Sequence, residues 1–281
     1  MTLREVYNQA RQRLSDAGVP SYNFDALCLL KKYLGADRVR LAVDGGRPVD
    51  EDRLQGLLEA VELRAGGRPL QYILEEWELC GYTFKVGDGV LIPRQETELL
   101  VETAVKAVEG KVSPFVVDLC GGSGCVAICI AKIRPDAKII SIELSDAAFW
   151  YLNQNIDIHG ARNVTAVKGD VLQGSNSFIT KPIDLIVSNP PYIPSKSIRT
   201  LQREVGFEPR MALDGGADGL KFYHAIADLW VPLLNRNGRV AVEIGAGQEN
   251  DVAAIFRKAG LYGIEKLPDM SNIYRVITGT A

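Results

Sequence analysis

Apolar residues recur at helical spacing through the first part of the chain and then give way to short β-branched runs. Leu3, Val6, Tyr7, Ala10 and Leu14 fall on one helical face, which Gly18 and Pro20 bring to an end. Ala26, Leu27, Leu30, Tyr33 and Leu34 mark a second helix, stopped by Gly35. Leu54, Leu57, Leu58 and Val61 mark a third, which begins near Asp50 and stops at Gly66-Gly67. Residues 1–75 are therefore expected to form a small helical domain. Residues 77–79 and 82–86 are strand-like around Gly81, so residues 76–95 are expected to be a hairpin and linker. Pro93-Arg94-Gln95-Glu96-Thr97-Glu98 then opens a helix, with proline in the first turn and carboxylates complementing the dipole.

From Phe115 onward, strands and helices alternate. Strands are expected over 115–119, 138–142, 164–168, 183–188 and 239–244, with helices from Ser123 and over 146–159, 220–234 and 249–259. A terminal pair of strands follows, near 263–267 and 274–278. That alternation is the signature of an α/β domain, residues 96–281, with a mostly parallel sheet covered by helices on both faces.

Charge changes the picture only by exclusion. Thirty-two basic and 35 acidic side chains leave a net charge of −3, and residues 1–75 carry eleven of each. Neither part offers the basic patch that gripping a phosphate backbone requires, so nucleic acid is disfavoured as the main partner. Five cysteines, an odd number without metal-ligand spacing, point to a reduced, cytoplasmic setting, and no metal is expected. The N-terminus lacks a signal-peptide core, and no apolar run approaches the ~18 residues of a membrane span. His159 and His224 sit in expected helices and read as structural.

Candidate chemistry gathers where strands end. Val116-Val117-Asp118-Leu119 runs into Cys120-Gly121-Gly122-Ser123-Gly124 and then a helix, a glycine bend beside unpaired N–H groups that receives a nucleotide or nucleoside. Gly122-x-Gly124-x-x-Ala127 also fits a dinucleotide fingerprint, a weak signal alone. Asp118 favours S-adenosylmethionine, because it can hold an ammonium group, which NAD lacks. Glu143 lies where an acidic side chain accepts from ribose hydroxyls, and Asp170, with Val171 beside it, could accept from an adenine amino group. Singly, each carboxylate is an ordinary turn or cap residue; three in succession at carboxyl ends of strands favour a site.

The strand over 183–188 stops at Asn189-Pro190-Pro191-Tyr192, because two prolines cannot donate to a sheet ladder. The loop lies at the carboxyl edge of the sheet, where ligands of open α/β sheets bind. The Asn189 side-chain oxygen and the Pro190 carbonyl can together accept both hydrogens of a planar amide, with Tyr192 packing on it. Such bonds orient a weak nucleophile and strengthen as charge develops on its nitrogen.

In these segments the chain resembles the class I S-adenosylmethionine-dependent methyltransferases, and over its whole length the release factor N5-glutamine methyltransferases, also called HemK or PrmC. The resemblance rests on Pro69-Leu70-Gln71-Tyr72-Ile73-Leu74, on Gly89-Val90-Leu91-Ile92 leading into the Pro93–Glu98 segment, and on the Asp118 bend. Ser188-Asn189-Pro190-Pro191-Tyr192, Phe207-Glu208-Pro209 and Ala212-Leu213-Asp214-Gly215-Gly216-Ala217-Asp218-Gly219-Leu220 complete it. The Pro-Arg-x-Glu-Thr-Glu and Phe-Glu-Pro segments separate this family from DNA methyltransferases that share Asn-Pro-Pro-Tyr. The family places Gly where this chain has Cys120, whose Cβ asks for an ordinary backbone conformation or a local shift.

The resemblance implies a Rossmann-like fold with a seven-stranded, mostly parallel sheet, S-adenosylmethionine as cofactor, and methylation of the glutamine in the Gly-Gly-Gln loop of class I release factors. It implies that the N-terminal helical domain helps grip that partner, with the enzyme taken to be a monomer. Residues 193–218 are expected to form an ordered loop near the acceptor, which Pro191, Phe84, Arg94, Glu204 and Glu208 would line. Two other readings stay open: an N-methyltransferase acting on an exocyclic amino group of a nucleic-acid base, which would want a basic, aromatic channel, and a nucleoside-binding protein without catalysis.

Overall fold

The computed structural model describes residues 1–174, 179 and 181–281. The chain divides into two units, Met1–Glu76 with Gln202–Phe207, and Trp77–Leu201 with Glu208–Ala281.

In the first unit, α1 (Leu3–Asp16) opens with Thr2 and Glu5 capping each other's backbone N–H. It packs against α2 (Tyr22–Leu34) and, after the short α3 (Arg38–Asp44), against α4 (Glu51–Ala65); α5 (Leu70–Leu74) adds one turn. Leu3, Val6, Ala10 and Leu14 are buried as their spacing predicts, while α3 buries no residue and so leaves no period to read. Polar chemistry enters this core once. The Arg64 guanidinium, 3% exposed, donates from Nε to Asp25 Oδ2 at 2.6 Å and from Nη2 to Glu204 Oε1 at 2.7 Å. Glu204, expected beside the acceptor, is thus a partner of Arg64.

The second unit begins with the hairpin β1 (Glu76–Leu79) and β2 (Tyr82–Lys85). Cys80 and Gly81 both take positive φ, +50° and +74°, the two-residue turn that matches strand twist. Residues 76–95 do not behave as a linker, because Leu79 and Phe84 are fully buried in the same apolar cluster as α6 (Thr97–Ala107) and α7 (Cys125–Ile133).

The sheet follows as β3 (Phe115–Leu119), β4 (Lys138–Glu143), β5 (Val164–Lys168), β6 (Ile183–Ser188), β7 (Leu234–Glu243), β8 (Tyr262–Pro268) and β9 (Tyr274–Thr280). Its spatial order is β5-β4-β3-β6-β7-β9-β8. The first five strands of this series run parallel, and β9 is antiparallel to both β7 and β8. Alternate side chains serve opposite faces: Val116 and Leu185 join α6 and α7, whereas Val117 and Ile186 join α9 (Lys221–Ala225), Trp230 and α10 (Glu249–Lys258). The expected Rossmann-like α/β fold is therefore the observed one.

Several element ends differ from expectation: β7, for one, begins at Leu234 rather than at Arg239. Gly124 takes φ +81°, so α7 starts at Cys125 rather than Ser123. The helix expected at Pro93 starts at Thr97, after a turn closed by Thr97 N donating to Arg94 O. The helix expected over 220–234 regularises only at Lys221–Ala225, then widens into a π turn over Ile226–Trp230 and tightens at Val231–Leu233. Pro232 has no N–H and crowds the preceding turn, which accounts for the break.

Breaking a buried ion pair strands a charge in an apolar interior. Asp25→Ala is expected to cost about 3 kcal/mol, read as a lower urea midpoint in far-UV circular dichroism, with Asp25→Glu recovering part of it.

Candidate active site

The chain lays β3, β4 and β5 outward in turn and then crosses back to place β6 against β3. Ligands of open α/β sheets bind outside the carboxyl ends of strands where the order reverses in this way. Leu119 pairs with Ser188 across that junction, and the buried Ser188 hydroxyl donates to the Leu119 carbonyl at 2.7 Å. The next residues on the two strands, Cys120 and Asn189, therefore emerge side by side.

Both line one cavity, together with Gly122, Glu143, Asp170, Val171 and Pro191. Apolar side chains complete its wall: Leu91, Ile142, Leu144, Leu172, Met211 and Phe222 among them. Glu143 accepts from Gly122 N at 2.8 Å through one oxygen and from Ser145 N at 2.6 Å through the other, so it ties the glycine bend to the start of α8 (Asp146–His159). Asp170 caps its own turn, accepting from Leu172 N at 2.9 Å. It is thus both the ordinary cap and a cavity residue.

Other expected residues stand behind the wall. Asp118 is 1% exposed and accepts the Ser141 hydroxyl at 2.7 Å. It lies beneath Gly121, where a Cβ would meet Ser141 Oγ at 2.1 Å. Ser123 is buried, its carbonyl taking the Asn155 amide, and a Cβ at Gly124 would meet the Leu152 side chain at 2.5 Å. Asp118, Gly121, Ser123 and Gly124 thus serve the packing of bend, sheet and helices and are not among the residues lining the cavity. Cys120 takes φ +62°, in the left-handed region that favours glycine, so its Cβ does not force ordinary geometry. Burial, with the charges of Glu143 and Asp118, pushes its thiol well above the usual range, away from a reactive thiolate.

Phe84 is a correction. It is 0% exposed, packed on the His159 ring at 4.9 Å between centroids, and a side chain so buried cannot touch an acceptor. Arg94 keeps partial exposure and pairs with the buried Glu208. The second Glu208 oxygen accepts from Ile92 N at 3.0 Å, tethering the backbone beside Leu91 to that of Pro209.

The Asn189-Pro190-Pro191-Tyr192 loop is pinned from behind. Ile193 N donates to Leu213 O and Gly215 N to Ile193 O, each at 2.9 Å, and Gln248 Nε2 donates to Tyr192 O at 3.0 Å. A Cβ at Gly219 would meet Tyr192 O at 2.3 Å, so glycine there permits the contact. The Tyr192 ring packs at the edge of the second core and its hydroxyl lies 3.5 Å from Glu243 Oε1, rather than standing in the cavity. Among the described residues, neither Asn189 Oδ1 nor Pro190 O receives a hydrogen bond; the only one from Asn189 is Nδ2 donating to Thr97 Oγ1 at 3.3 Å. Thr97 stood in the sequence only as a member of the Pro-Arg-x-Glu-Thr-Glu segment, and Glu243, Gln248 and Ser141 carried no signal, because each acts through a partner elsewhere in the chain.

Burial raises the Asp118 carboxyl from its ordinary 3.8 to about 7, against the Ser141 hydrogen bond and with help from the Glu143 charge. Burial likewise raises Glu243 to about 7, opposed by Thr97. A carboxyl raised in the fold keeps its proton between about pH 4 and 7 while the unfolded chain gives it up. Its contribution to stability is full below the unfolded value and is lost as pH rises through 7. Melting temperature without ligand should therefore fall from pH 5 to 8 by a smaller amount in Asp118→Asn than in wild type; equal falls would assign the loss to other groups.

Among the described residues no group of three or more His, Cys, Asp or Glu could hold a metal ion, and no helix is long and apolar enough to cross a membrane. The family model described as the PrmC N-terminal domain matches residues 5–74, and that of the methyltransferase small domain matches residues 94–205. The release factor glutamine methyltransferase of Geobacter sulfurreducens is 40% identical over 99% of this chain and 96% of its own. That of Caulobacter vibrioides is 35% identical over the same shares. The solved hMettl16 catalytic domain, at 11% identity, shares the fold alone, with a TM-score of 0.55 over 84% of each chain. With strand order, glycine bend and prolyl loop in place and identity sustained end to end, the chain belongs to the release factor glutamine methyltransferase family.

Proposed function

We propose that this chain transfers a methyl group from S-adenosylmethionine to the side-chain amide nitrogen of the glutamine in the Gly-Gly-Gln loop of class I release factors. The observation that carries the reading is the pair of acceptors without donors, Asn189 Oδ1 and Pro190 O, on a pinned loop beside the cavity. A primary amide has two hydrogens and matches them.

The cavity fits the cofactor. Val171, Leu172, Ile142 and Leu144 suit a planar base, and Asp170 and Glu143 offer oxygens to its amino group and sugar hydroxyls. Asp118, raised by burial and without a cation partner among the described residues, gains its ionised form when an ammonium group comes near the bend. When bound, S-adenosylmethionine supplies a methyl group already activated on a sulfonium. Asn189 and Pro190 hold the amide nitrogen by its two hydrogens, and one of these protons passes to water as the neutral methylated amide forms. Their bonds strengthen as that nitrogen turns positive, which lowers the barrier more than it tightens binding. Tyr192 holds the loop's shape from below. Arg94 and Glu208 fix the Leu91 and Pro209 walls of the cavity.

The helical unit, matched over residues 5–74 by the family's N-terminal domain, serves as a docking surface for the release factor. On the same reading the enzyme works in the cytoplasm.

Purified chain, radiolabelled S-adenosylmethionine and a release factor should give one labelled glutamine, and none when the Gly-Gly-Gln glutamine is alanine. Asn189→Ala should retain its melting temperature and lose about a hundredfold or more in turnover. Full activity in that variant would remove the mechanism, and label on the alanine-substituted factor would remove the substrate.

A further inference from the structure

A carboxamide is nearly symmetric in shape and opposite in function at its two ends. Turned by half a revolution, Asn189 would present an NH2 to the acceptor's NH2, donor against donor. Something must hold it one way round.

Thr97, the first residue of α6, has its hydroxyl 3.3 Å from Asn189 Nδ2 and 2.7 Å from Glu243 Oε2. A hydroxyl alone does not choose, since it has one proton to donate and lone pairs to accept with. Glu243 makes the choice. It is 2% exposed at the end of β7, and in its ionised form, which prevails above about pH 7, its carboxylate is an acceptor only and takes the hydroxyl proton. Thr97 Oγ1 is then left with lone pairs, which can satisfy the Asn189 NH2 but not its oxygen. Hydrogen-bond polarity thus runs one way from Asn189 through Thr97 to Glu243, and Oδ1 is the end left over.

The carboxylate is itself fixed. The Tyr223 hydroxyl donates to the main-chain carbonyl of Glu243 at 2.9 Å, holding its backbone, and the Tyr192 hydroxyl stands 3.5 Å from Oε1 of the carboxylate. We propose that Thr97, oriented by the buried Glu243, is a positioning residue that sets which face of the Asn189 carboxamide meets the acceptor. This rests on the reading that Asn189 accepts from the substrate amide, and it adds how the chain enforces that role. A group that acts this way changes the fraction of enzyme in the productive arrangement, so it alters turnover with little change in the binding of either substrate.

The test compares Thr97→Val, which keeps the shape and loses the hydroxyl, with Thr97→Ser, which keeps the hydroxyl. Thr97→Val should lower kcat about ten- to a hundredfold, with the KM for release factor and the calorimetric Kd for S-adenosylmethionine each within about twofold of wild type, the spread expected when only productive fraction changes. Thr97→Ser should recover most of the loss. In protein labelled with 15N-asparagine, the Asn189 side-chain NH2 should exchange with solvent faster in Thr97→Val than in wild type or Thr97→Ser, with no ligand present. Glu243→Gln, which restores ambiguity while leaving Thr97 in place, should also lower kcat and covers the case in which Thr97→Val does not fold. Wild-type kcat in Thr97→Val, or in Glu243→Gln where the first is unfolded, overturns the inference when Asn189→Ala is inactive. Wild-type kcat in Asn189→Ala instead overturns the reading beneath it.

Discussion

Parallel pairing of β3 with β6 is the constraint from which the site descends. One register, Leu119 beside Ser188, decides that the glycine bend and the Asn-Pro-Pro-Tyr loop leave the sheet at adjacent points. A shift of one residue would turn every side chain of β6 to the opposite face and send Asn189 away from Cys120. The register is held by what lies beneath it, with Val117 and Ile186 in one apolar cluster and Val116 and Leu185 in the other. The Ser188 hydroxyl, bonded to the Leu119 carbonyl, ties the two strands at the last step before they part.

From that junction the site is built in two layers. The layer facing the cavity is mostly apolar, with the side-chain oxygens of Glu143, Asp170 and Asn189 among it. The layer behind holds Asp118, Ser141, Thr97 and Glu243, polar groups kept from water and bonded to one another, with the half-buried Gln248 bonded to loop backbone. Buried polar groups of this kind specify a single arrangement when fully satisfied. Two buried carboxyls there, each raised toward neutrality, are what the fold tolerates in exchange for that definition.

Much of the framework was legible because strands of a two-faced parallel sheet are dense in β-branched residues. The bounds of β3, β5 and β6 follow from the apolar runs, and α8 begins and ends at its capping residues Ser145 and Gly160. What escaped has physical reasons. An exposed helix such as α3 buries nothing and leaves no period. Phe84 reads as a residue lining the acceptor until it is known to pack in one core with α6 and α7. The glycines of the bend look alike in sequence, but Gly122 lines the cavity while Gly121 and Gly124 make room for Ser141 and Leu152. Thr97 and Glu243 are separated by 146 residues, and no local pattern announces a pair that only tertiary structure creates.

The helical unit is not one continuous stretch of chain: Gln202–Phe207, far downstream, belongs to it. Glu204, one of the two carboxylates on Arg64, arrives by that second route. A fragment cut after Glu76 would therefore keep Asp25 and lose Glu204, leaving the Nη2 donor of a buried guanidinium without that acceptor. Dissection of this protein into separately expressed halves meets an obstacle at that arginine, and a faithful helical module would need the six downstream residues grafted back onto it.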